Sequence, residues 1–485
     1  MHNARKLCVT WLLFPMFLNV VPLFDQGLTA QGPPPAGVQR PEALEARIDE
    51  VLKAYDDTRS PGCAVGVLAE GVLAFARGYG MANLDHGLAI TPRTVFRTGS
   101  VSKQFTAAVV TLLAMEGFFS IDDGIRKHFP ELPEVYDAVT VRQLLHHTSG
   151  IRDYLELQEM RGVGDESTYS EEDVVKLLVR QKGLNFPPGS EYLYSNSGYL
   201  LLSRLVHRTT GSTLREEAQR LLFGPLGMRN THFHDDHREI VPYRAAGYGS
   251  AAAGGFFVDQ TTLDIVGDGG VFTNIEDLSL WMANFWSLEV GGREWLTQME
   301  TRGVLANGDT VDYGLGLRLG AQQGIPTVGH GGAFVGYRAA TLRYPTEGVA
   351  VMALCNYARA NPSQIAERVG AIWLGDRMPA EPEGPAEQEP SGLEPSASTP
   401  ISPADQAPFL GEYYSEELDA TYRIFQEGEA LRLDVNGAYT LPLEASGPDT
   451  LAADWFTLTY TRIAGSVTRF QVGSGRAGGV LFIRK

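Results

Sequence analysis

The chain has 485 residues, and this length predicts two or three folding units, because a single hydrophobic core rarely grows beyond about 250–300 residues. A hydrophobic content of 44% and a charged content of 20% are typical of a globular protein. The formal net charge of −18 disfavours nucleic acid or anionic membrane as a main partner, since phosphate binding needs clustered Lys and Arg. We therefore expect no nucleic-acid partner.

The first thirty residues are typical of an export signal. Arg5 and Lys6 precede an apolar run over residues 7–24, and Ala30 is a small residue suited to cleavage. The alternative is an uncleaved membrane anchor, but two prolines and two polar residues interrupt the run. The sequence thus predicts a signal peptide over residues 1–30, a periplasmic or extracellular location, and no stable membrane insertion after cleavage.

Three cysteines bear on the redox state. Cys8 lies in the predicted signal, whereas Cys63 and Cys355 each lie in a strand-like apolar run. Two buried thiols and a single disulfide both remain open at this stage, and neither amounts to a disulfide framework.

The first third of the chain predicts a helix, a hairpin and a buried helix. Residues 41–55 carry one apolar stripe at helical spacing. Residues 63–69 and 72–77 are strand-like and flank Glu70-Gly71, as in a two-residue hairpin. Residues 100–116 are apolar on almost every face, which predicts a helix in the middle of a domain.

Strand patterns return after a long region of helices and loops. Residues 327–330, 337–344 and 348–355 are strand-like, and Asn361 caps a predicted helix over 362–374. Strands at both ends with helices between them predict an α+β fold rather than alternating βαβ units. We expect one antiparallel sheet flanked by helices, with an inserted helical subdomain, in a hydrolase domain spanning residues 31–377.

The composition changes after this domain. Residues 379–408 hold eight prolines and no Lys or Arg, which predicts a stiff acidic linker over 378–408. Residues 409–485 show about eight short alternating runs, which predict a small antiparallel β-barrel. Because all site residues predicted below precede the linker, we expect the barrel to be accessory and a chain ending near Gly375 to stay soluble and active.

A serine and a lysine share one face at the start of the central helix. In Ser100-Val101-Ser102-Lys103, the i and i+3 positions place the lysine amine beside the Ser100 hydroxyl. Burial disfavours the charged form of Lys103, which makes it a proton acceptor, and the helix N-terminus favours an oxyanion at the Ser100 N–H. The alternative is a capping serine followed by a solvent-facing lysine.

Two later strings supply a phenol, an amide and an imidazole. Tyr194 could relay a proton to a leaving group, and Asn196 could bind both Lys103 and a substrate amide. His330 and Gly332 bring a substrate against a strand edge, where the Ala333 N–H would be the second oxyanion donor. The alternatives are an aromatic packing loop and a structural histidine at a turn.

Together the three strings resemble the penicillin-recognising serine hydrolases: class C β-lactamases, D-Ala-D-Ala carboxypeptidases, D-aminopeptidases and related esterases. The resemblance covers about residues 41–376 and includes residues 144–150 and 269–278, which look like family signatures outside the active site. It implies Ser100 as nucleophile, Lys103 as base and Tyr194 as proton relay, with no cofactor. Whether lysine or tyrosine deprotonates the serine stays open. The C-terminal run resembles a lipocalin-like barrel.

One departure from this family bears on the substrate. Where its β-lactamases usually carry Lys-Thr-Gly, this chain has His330-Gly331-Gly332, so a permanent cation is replaced by a group that is mostly neutral near pH 7. We therefore expect a D-amino-acid peptidase or esterase acting on a small peptide or ester. The alternatives are a class C-like β-lactamase and a catalytically silent peptidoglycan- or ligand-binding protein.

A histidine-rich string offers a competing interpretation. His232-Phe233-His234-Asp235-Asp236-His237 is similar to the zinc motif of the metallo-β-lactamase fold. A working site there needs further histidines downstream, and only His330 follows His237. We therefore expect no catalytic metal, although incidental metal binding at this string is compatible with its residues.

Overall fold

The computed structural model of the chain describes residues 42–164, 167–379, 399–447, 449–463 and 466–485. The predicted signal peptide over residues 1–30 and most of the predicted linker, residues 380–398, lie outside these residues. None of the helices in the described ranges combines the length and apolarity needed to cross a bilayer.

The described residues form ten α-helices and two main sheets. The helices are α1 Glu42–Leu52, α2 Lys103–Met115, α3 Val141–Leu145, α4 Tyr154–Met160, α5 Glu171–Val179, α6 Asn196–Thr210, α7 Leu214–Ala218, α8 Ile275–Ser287, α9 Gly292–Glu300 and α10 Pro362–Leu374. The strands before the linker are β1 Cys63–Ala69, β2 Val72–Tyr79, β3 Met81–Asn83, β4 Leu88–Ala89, β5 Phe96–Arg97, β6 His232–Phe233, β7 Tyr248–Ser250, β8 Phe256–Val258, β9 Val271–Thr273, β10 Arg318–Gln322, β11 Ile325–Phe334, β12 Tyr337–Tyr344 and β13 Val349–Cys355. The strands after it are β14 Gly411–Ser415, β15 Ala420–Glu427, β16 Ala430–Val435, β17 Tyr439–Pro442, β18 Glu444–Gly447, β19 Thr450–Ala453, β20 Phe456–Ile463, β21 Ser466–Gly473 and β22 Val480–Arg484.

The first sheet is antiparallel and has the strand order β10-β11-β12-β13-β1-β2. Because β13 pairs with β1, the two ends of the hydrolase domain meet in one sheet, and the predicted α+β architecture is confirmed. Two details differ. The edge strand β10 was missed, since its exposed residues and glycine leave no apolar run. Strand β11 continues through His330 to Phe334, because β12 pairs with it along that whole length.

Helices cover both faces of this sheet. Helices α1 and α10 bury one face, where Val65 and Val67 lie in one hydrophobic core, while α8 and the helical subdomain bury the other face, which holds Ala64 and Leu68. Gly66 lets α8 approach closely, since a Cβ there would lie 2.4 Å from the side chain of Ile275. The strand alternation therefore divides the domain into two cores.

The predicted central helix begins one turn later than expected. Residues Gly99–Ser102 form a 3₁₀ turn, and α2 starts at Lys103. Most of α2 is buried, as its apolar surface predicts, so the turn that carries Ser100 is anchored to the interior of the domain.

The C-terminal residues form a nine-stranded antiparallel sheet that curls into a nearly closed barrel, as predicted. Its strand order is β17-β16-β15-β14-β22-β21-β20-β19-β18. Aromatic rings fill the interior: the ring of Tyr422 stacks on Phe482 at 4.1 Å between centroids, and Phe482 lies 5.3 Å from Phe470.

The barrel packs directly against the helical subdomain. Arg152 donates to the Glu417 carboxylate at 2.6 Å, and both side chains are about 95% buried. The Tyr422 hydroxyl donates to the backbone oxygen of Met160 at 2.8 Å. Removing one partner of a buried ion pair costs about 3–5 kcal/mol, because the other charge stays buried without compensation. The two units are thus bound together by buried contacts, although the predicted stiff linker joins them in sequence.

A disulfide joins Cys63 and Cys355, which face each other across β1 and β13 with their Cα atoms 4.0 Å apart. It closes a loop with a sequence separation of 292 residues. We predict that replacing both cysteines by serine lowers the free energy of unfolding by about 3 kcal/mol, because the cross-link restricts the unfolded chain. Urea unfolding of both proteins, with and without reductant, measures this difference.

In this experiment the reduced wild type should approach the double variant. An oxidised wild type that unfolds at the same urea concentration as the double variant would contradict the prediction, as would quantitative alkylation of both thiols without reductant.

Candidate active site

Two glycines place the nucleophile turn against the edge of β11. Gly99 adopts a left-handed φ of 52°, and a Cβ there would lie 2.8 Å from the Ala333 nitrogen. A Cβ on Gly332 would lie 2.1 Å from the Thr98 oxygen, so only glycine allows this approach. Ser100 and Ala333 consequently line one cavity. Their N–H groups as oxyanion donors remain a prediction that this proximity supports.

Lys103 is fully buried, and its amine has fixed partners. Nζ donates to Asn196 Oδ1 at 2.7 Å and to the backbone oxygen of Asp268 at 2.6 Å. The Ser100 Oγ lies 3.4 Å from the same nitrogen. A neutral amine has two N–H donors and one lone pair, so this geometry leaves the lone pair facing the serine hydroxyl.

Burial lowers the pKa of Lys103 to about 8. The negative charges of Asp268 and Asp153 act in the opposite direction, and the positive charge of Arg476 adds to the lowering. A substantial fraction of the amine is therefore neutral near physiological pH, which is the form that accepts a proton.

Asp153 fixes the orientation of Asn196, and the sequence analysis missed it. Its carboxylate accepts from the Asn196 backbone N–H at 2.6 Å and from Nδ2 at 2.9 Å, so the amide oxygen must face Lys103. The same side chain caps α4 by accepting from the Leu155 N–H at 3.0 Å. An Asp followed by an apolar helical run is an N-cap signal, but nothing in that signal reveals a second role.

Tyr194 packs beside the lysine. Its ring lies 4.7 Å from Lys103 Nζ and 4.2 Å from the ring of His147. Burial raises the pKa of Tyr194 well above its usual range, while the neighbouring Ser100 hydroxyl acts in the opposite direction. The effect of Ser100 shows that the buried Tyr194 hydroxyl lies beside the nucleophile, where it can exchange a proton at the reacting centre.

His330 lies behind Tyr194 rather than in the cavity. It is 3% exposed, its Nδ1 donates to the Gly331 oxygen at 2.5 Å, and its Nε2 accepts from the Tyr313 hydroxyl at 2.9 Å. Burial lowers the pKa of His330 to about 3, so the ring is neutral. His330 therefore has a supporting position outside the described residues that line the cavity, and a direct contact with substrate stays a prediction.

The cavity at Ser100 has a volume of about 150 Å³. Leu155, Leu263, Ile265 and Phe334 form its apolar wall, and Arg97, Tyr154, Asp268 and Arg476 contribute polar groups. The Asp268 carboxylate accepts from the Tyr154 hydroxyl at 3.0 Å, and burial raises its pKa. The site thus offers a small apolar pocket with one carboxylate near the nucleophile.

The barrel contributes Arg476 to this cavity. Its guanidinium lies 3.3 Å from Asp153 and 2.7 Å from Glu156, and its backbone oxygen accepts from the Asp153 N–H at 3.0 Å. The sequence analysis placed every site residue before the linker, and the structure adds this one after it. No local pattern marks Arg476, because only the folded interface brings it to the site.

Two motifs placed outside the active site lie against it, which corrects that expectation. In residues 144–150, His147 supports the Tyr194 ring and accepts from the Ser195 N–H at 3.1 Å. In residues 269–278, Gly269 and Gly270 line the cavity.

A family model described as Beta-lactamase matches residues 44–371 of this chain. A D-aminopeptidase of Cereibacter sphaeroides (strain KD131 / KCTC 12085) is 29% identical over 349 residues, which are 72% of this chain and 66% of that protein. A D-aminopeptidase of Brucella anthropi is 30% identical over 69% of this chain and 62% of that protein. The chain thus spans slightly less than two thirds of the length of both relatives.

Two solved structures share the fold. The octameric penicillin-binding protein homologue from Pyrococcus abyssi has a TM-score of 0.61 at 24% identity, covering 91% of this chain and 99% of that one. The D-amino acid amidase from Ochrobactrum anthropi SV3, complexed with D-phenylalanine, has a TM-score of 0.60 at 22% identity, covering 69% and 100%. The family match over residues 44–371 shows that the chain belongs to the beta-lactamase family, and the two structures show its fold.

Proposed function

We propose that this chain hydrolyses amides of D-amino acids through an acyl-enzyme on Ser100. The observation that carries the proposal is the buried Lys103 amine, whose two hydrogen-bond acceptors leave its lone pair directed at the Ser100 hydroxyl. The substrate class rests on the D-aminopeptidase relatives and the D-amino acid amidase fold neighbour.

In the proposed reaction, Lys103 takes the Ser100 proton while Oγ attacks the amide carbon. The N–H groups of Ser100 and Ala333 stabilise the oxyanion. As the intermediate collapses, the C–N bond breaks and Tyr194 supplies the proton that the leaving amine needs, which it regains from Lys103. Water then attacks the ester, and proton return through the same groups releases the acid and restores the serine.

The cavity suits a small amino acid amide. Its apolar wall of Leu263, Ile265 and Phe334 would accommodate the side chain, and the Asp268 carboxylate would balance the α-ammonium. A second candidate is β-lactam hydrolysis, since the cations Arg97 and Arg476 line the same cavity and would attract a carboxylate.

We also propose export, on the strength of residues 1–30 alone.

A substrate panel tests the proposal. We predict that D-phenylalanine amide is hydrolysed at least tenfold faster than its L-enantiomer and faster than nitrocefin. Ser100→Ala should abolish turnover, because the Ser100 hydroxyl lies 3.4 Å from the Lys103 amine that activates it. Ammonia release and nitrocefin absorbance measure the rates, a short-chain ester completes the panel, and mass spectrometry locates the acyl adduct.

Ser102→Ala is the matched control, since Ser102 is buried and bonded to the Val271 N–H rather than to the amine. Efficient nitrocefin turnover with no amide hydrolysis would favour the β-lactamase alternative. Preference for the ester would favour an esterase, and an adduct on Ser102 or Ser149 would refute the nucleophile assignment.

The pKa of Lys103 predicts a pH profile. The amine must be neutral to accept a proton, so kcat/KM should rise about tenfold per pH unit below the pKa and level off above about pH 8. The raised pKa of Tyr194 keeps the phenol protonated over this range, so with the short-chain ester, which has no α-ammonium to titrate, no fall is expected before about pH 10. Lys103→Arg, which stays charged, should lose about 10²–10⁴-fold in activity. A profile that is flat between pH 6 and 9 would contradict a lysine base.

Arg476 should act on the nucleophile through electrostatics. Because its charge lowers the pKa of Lys103, Arg476→Gln should move the rising limb of kcat/KM to higher pH. It should also reduce kcat at pH 7 by about tenfold, since Asp153 loses its cation. Arg469→Gln, at an exposed position of the same barrel, is the control. If the rising limb of kcat/KM in Arg476→Gln stays at the same pH as in the wild type, the purely accessory role expected for the barrel would be supported.

A further inference from the structure

We propose that His232, His234 and Glu239 bind a zinc ion at a site distinct from the catalytic cavity. His232 Nε2 and His234 Nδ1 share a hydrogen bond of 3.2 Å, which a bound ion would replace, and one Glu239 oxygen lies 4.0 and 3.9 Å from these nitrogens. Ligands of a tetrahedral zinc ion with Zn–N bonds near 2.0–2.1 Å lie about 3.3 Å from one another. The histidine pair already has this spacing, and Glu239 needs to move by only about 0.6 Å.

The local fold explains why these side chains converge. Residues two apart on an extended strand point to the same side, so His232 and His234 share one face. Strand β6 pairs with β9, and the His234 N–H continues the pairing by donating to the Gly270 oxygen at 2.8 Å. The chain then turns back and brings Glu239 over the two rings.

Both carboxylates and cations surround the three ligands, so the donor geometry rather than an excess of negative charge supports the site. Arg215 donates to Glu239 at 2.7 and 2.9 Å and to Asp235 at 2.9 Å. Two carboxylates therefore face the Arg215 guanidinium, while Arg244 adds a positive charge near both imidazoles and Arg97 adds one near His234. Each carboxylate oxygen has a second lone pair, so Glu239 can hold Arg215 and an ion at the same time.

The site is open on one side. His232 and Glu239 line a cavity of about 660 Å³ at the surface, whereas the His234 side chain is 2% exposed. An ion can enter from this cavity, and a water molecule can complete its coordination from there. The ring of His234 packs at 4.5 Å on Phe272 of β9, which holds the deeper ligand in place.

Zinc would stabilise the wall of the catalytic cavity rather than take part in the reaction. None of the three ligands is among the described residues that line the cavity at Ser100. However, β9 lies between β6 and β5, and Gly270 lines the catalytic cavity. An ion bridging β6 and the turn at Glu239 would therefore restrain the strand that borders the nucleophile.

A second group, Asp236, His237 and Asp264, also brings potential ligands together. It is more exposed, and His237 already binds Asp264. The His237 backbone N–H donates to the Asp264 carboxylate at 2.6 Å, and His237 Nδ1 lies 2.9 Å from the other oxygen of that carboxylate. With one imidazole instead of two, it offers zinc the weaker donor set. It serves as a comparison in the test.

The test uses the full chain stripped with EDTA and titrated with Zn²⁺ against a chromogenic chelator. We expect one tightly bound zinc per chain, a rise of several degrees in the thermal midpoint, and a four-coordinate visible spectrum with Co²⁺. His232→Ala and Glu239→Gln should each weaken zinc binding at least tenfold and remove the thermal shift. His86→Ala, at an exposed histidine outside both groups, should bind zinc as the wild type does.

Circular dichroism shows whether each variant is folded. Glu239→Gln preserves the size of the side chain but keeps only one of the two oxygens that accept from Arg215. Unchanged zinc affinity in folded Glu239→Gln and His232→Ala would overturn the proposal. Loss of binding in His237→Ala alone would place the ion at the second group and overturn it too, as would binding only at millimolar zinc. These readouts are independent of substrate, so they separate this proposal from that of D-amino acid amide hydrolysis.

Discussion

The chemistry of this enzyme depends on one buried amine. A lysine held by two acceptors in the interior is costly as a cation, and this cost lowers the pKa of Lys103 to about 8. The 3₁₀ turn places Ser100 beside that amine, and the buried helix α2, which begins at Lys103, holds the backbone of the lysine in place. If Lys103 were exposed, its pKa would return toward 10.4 and very little neutral base would exist at pH 7.

A chain of contacts connects the barrel to this amine. Arg476 pairs with Asp153, Asp153 orients Asn196, and the Asn196 oxygen accepts from Lys103. The Asp153 carboxylate binds both the Arg476 guanidinium and the Asn196 amide. Arg476 therefore affects both the orientation of Asn196 and the electrostatic potential at Lys103. The buried pair between Arg152 and Glu417 holds the same interface closed. The barrel is therefore part of the electrostatic environment of the nucleophile, although its sequence carries no catalytic motif.

The sequence predicted elements whose signals are local and failed where residues meet only through folding. Strand β1, strand β12 and helix α10 follow from apolar periodicity and an Asn cap, and their observed bounds match the predicted ones. Ser100, Lys103 and Asn196 came from motifs and do converge. In contrast, Asp153 and Arg476 belong to distant segments, and their roles arise from one interface. His330 also came from a motif, and it lies among the rings of Tyr194 and Tyr313, an arrangement that only the folded chain creates.

Burial acts in opposite directions on the acids and the base of this site. It raises the pKa values of Asp153 and Asp268 and lowers that of Lys103, so desolvation alone would drive all three toward neutrality. The two carboxylates oppose the lowering of the lysine pKa, and Arg476 counteracts them. An arginine is suited to this task because it remains charged even at a partly buried position. The contribution of the barrel is thus a fixed cation that offsets buried carboxylates and keeps the catalytic amine available as a base.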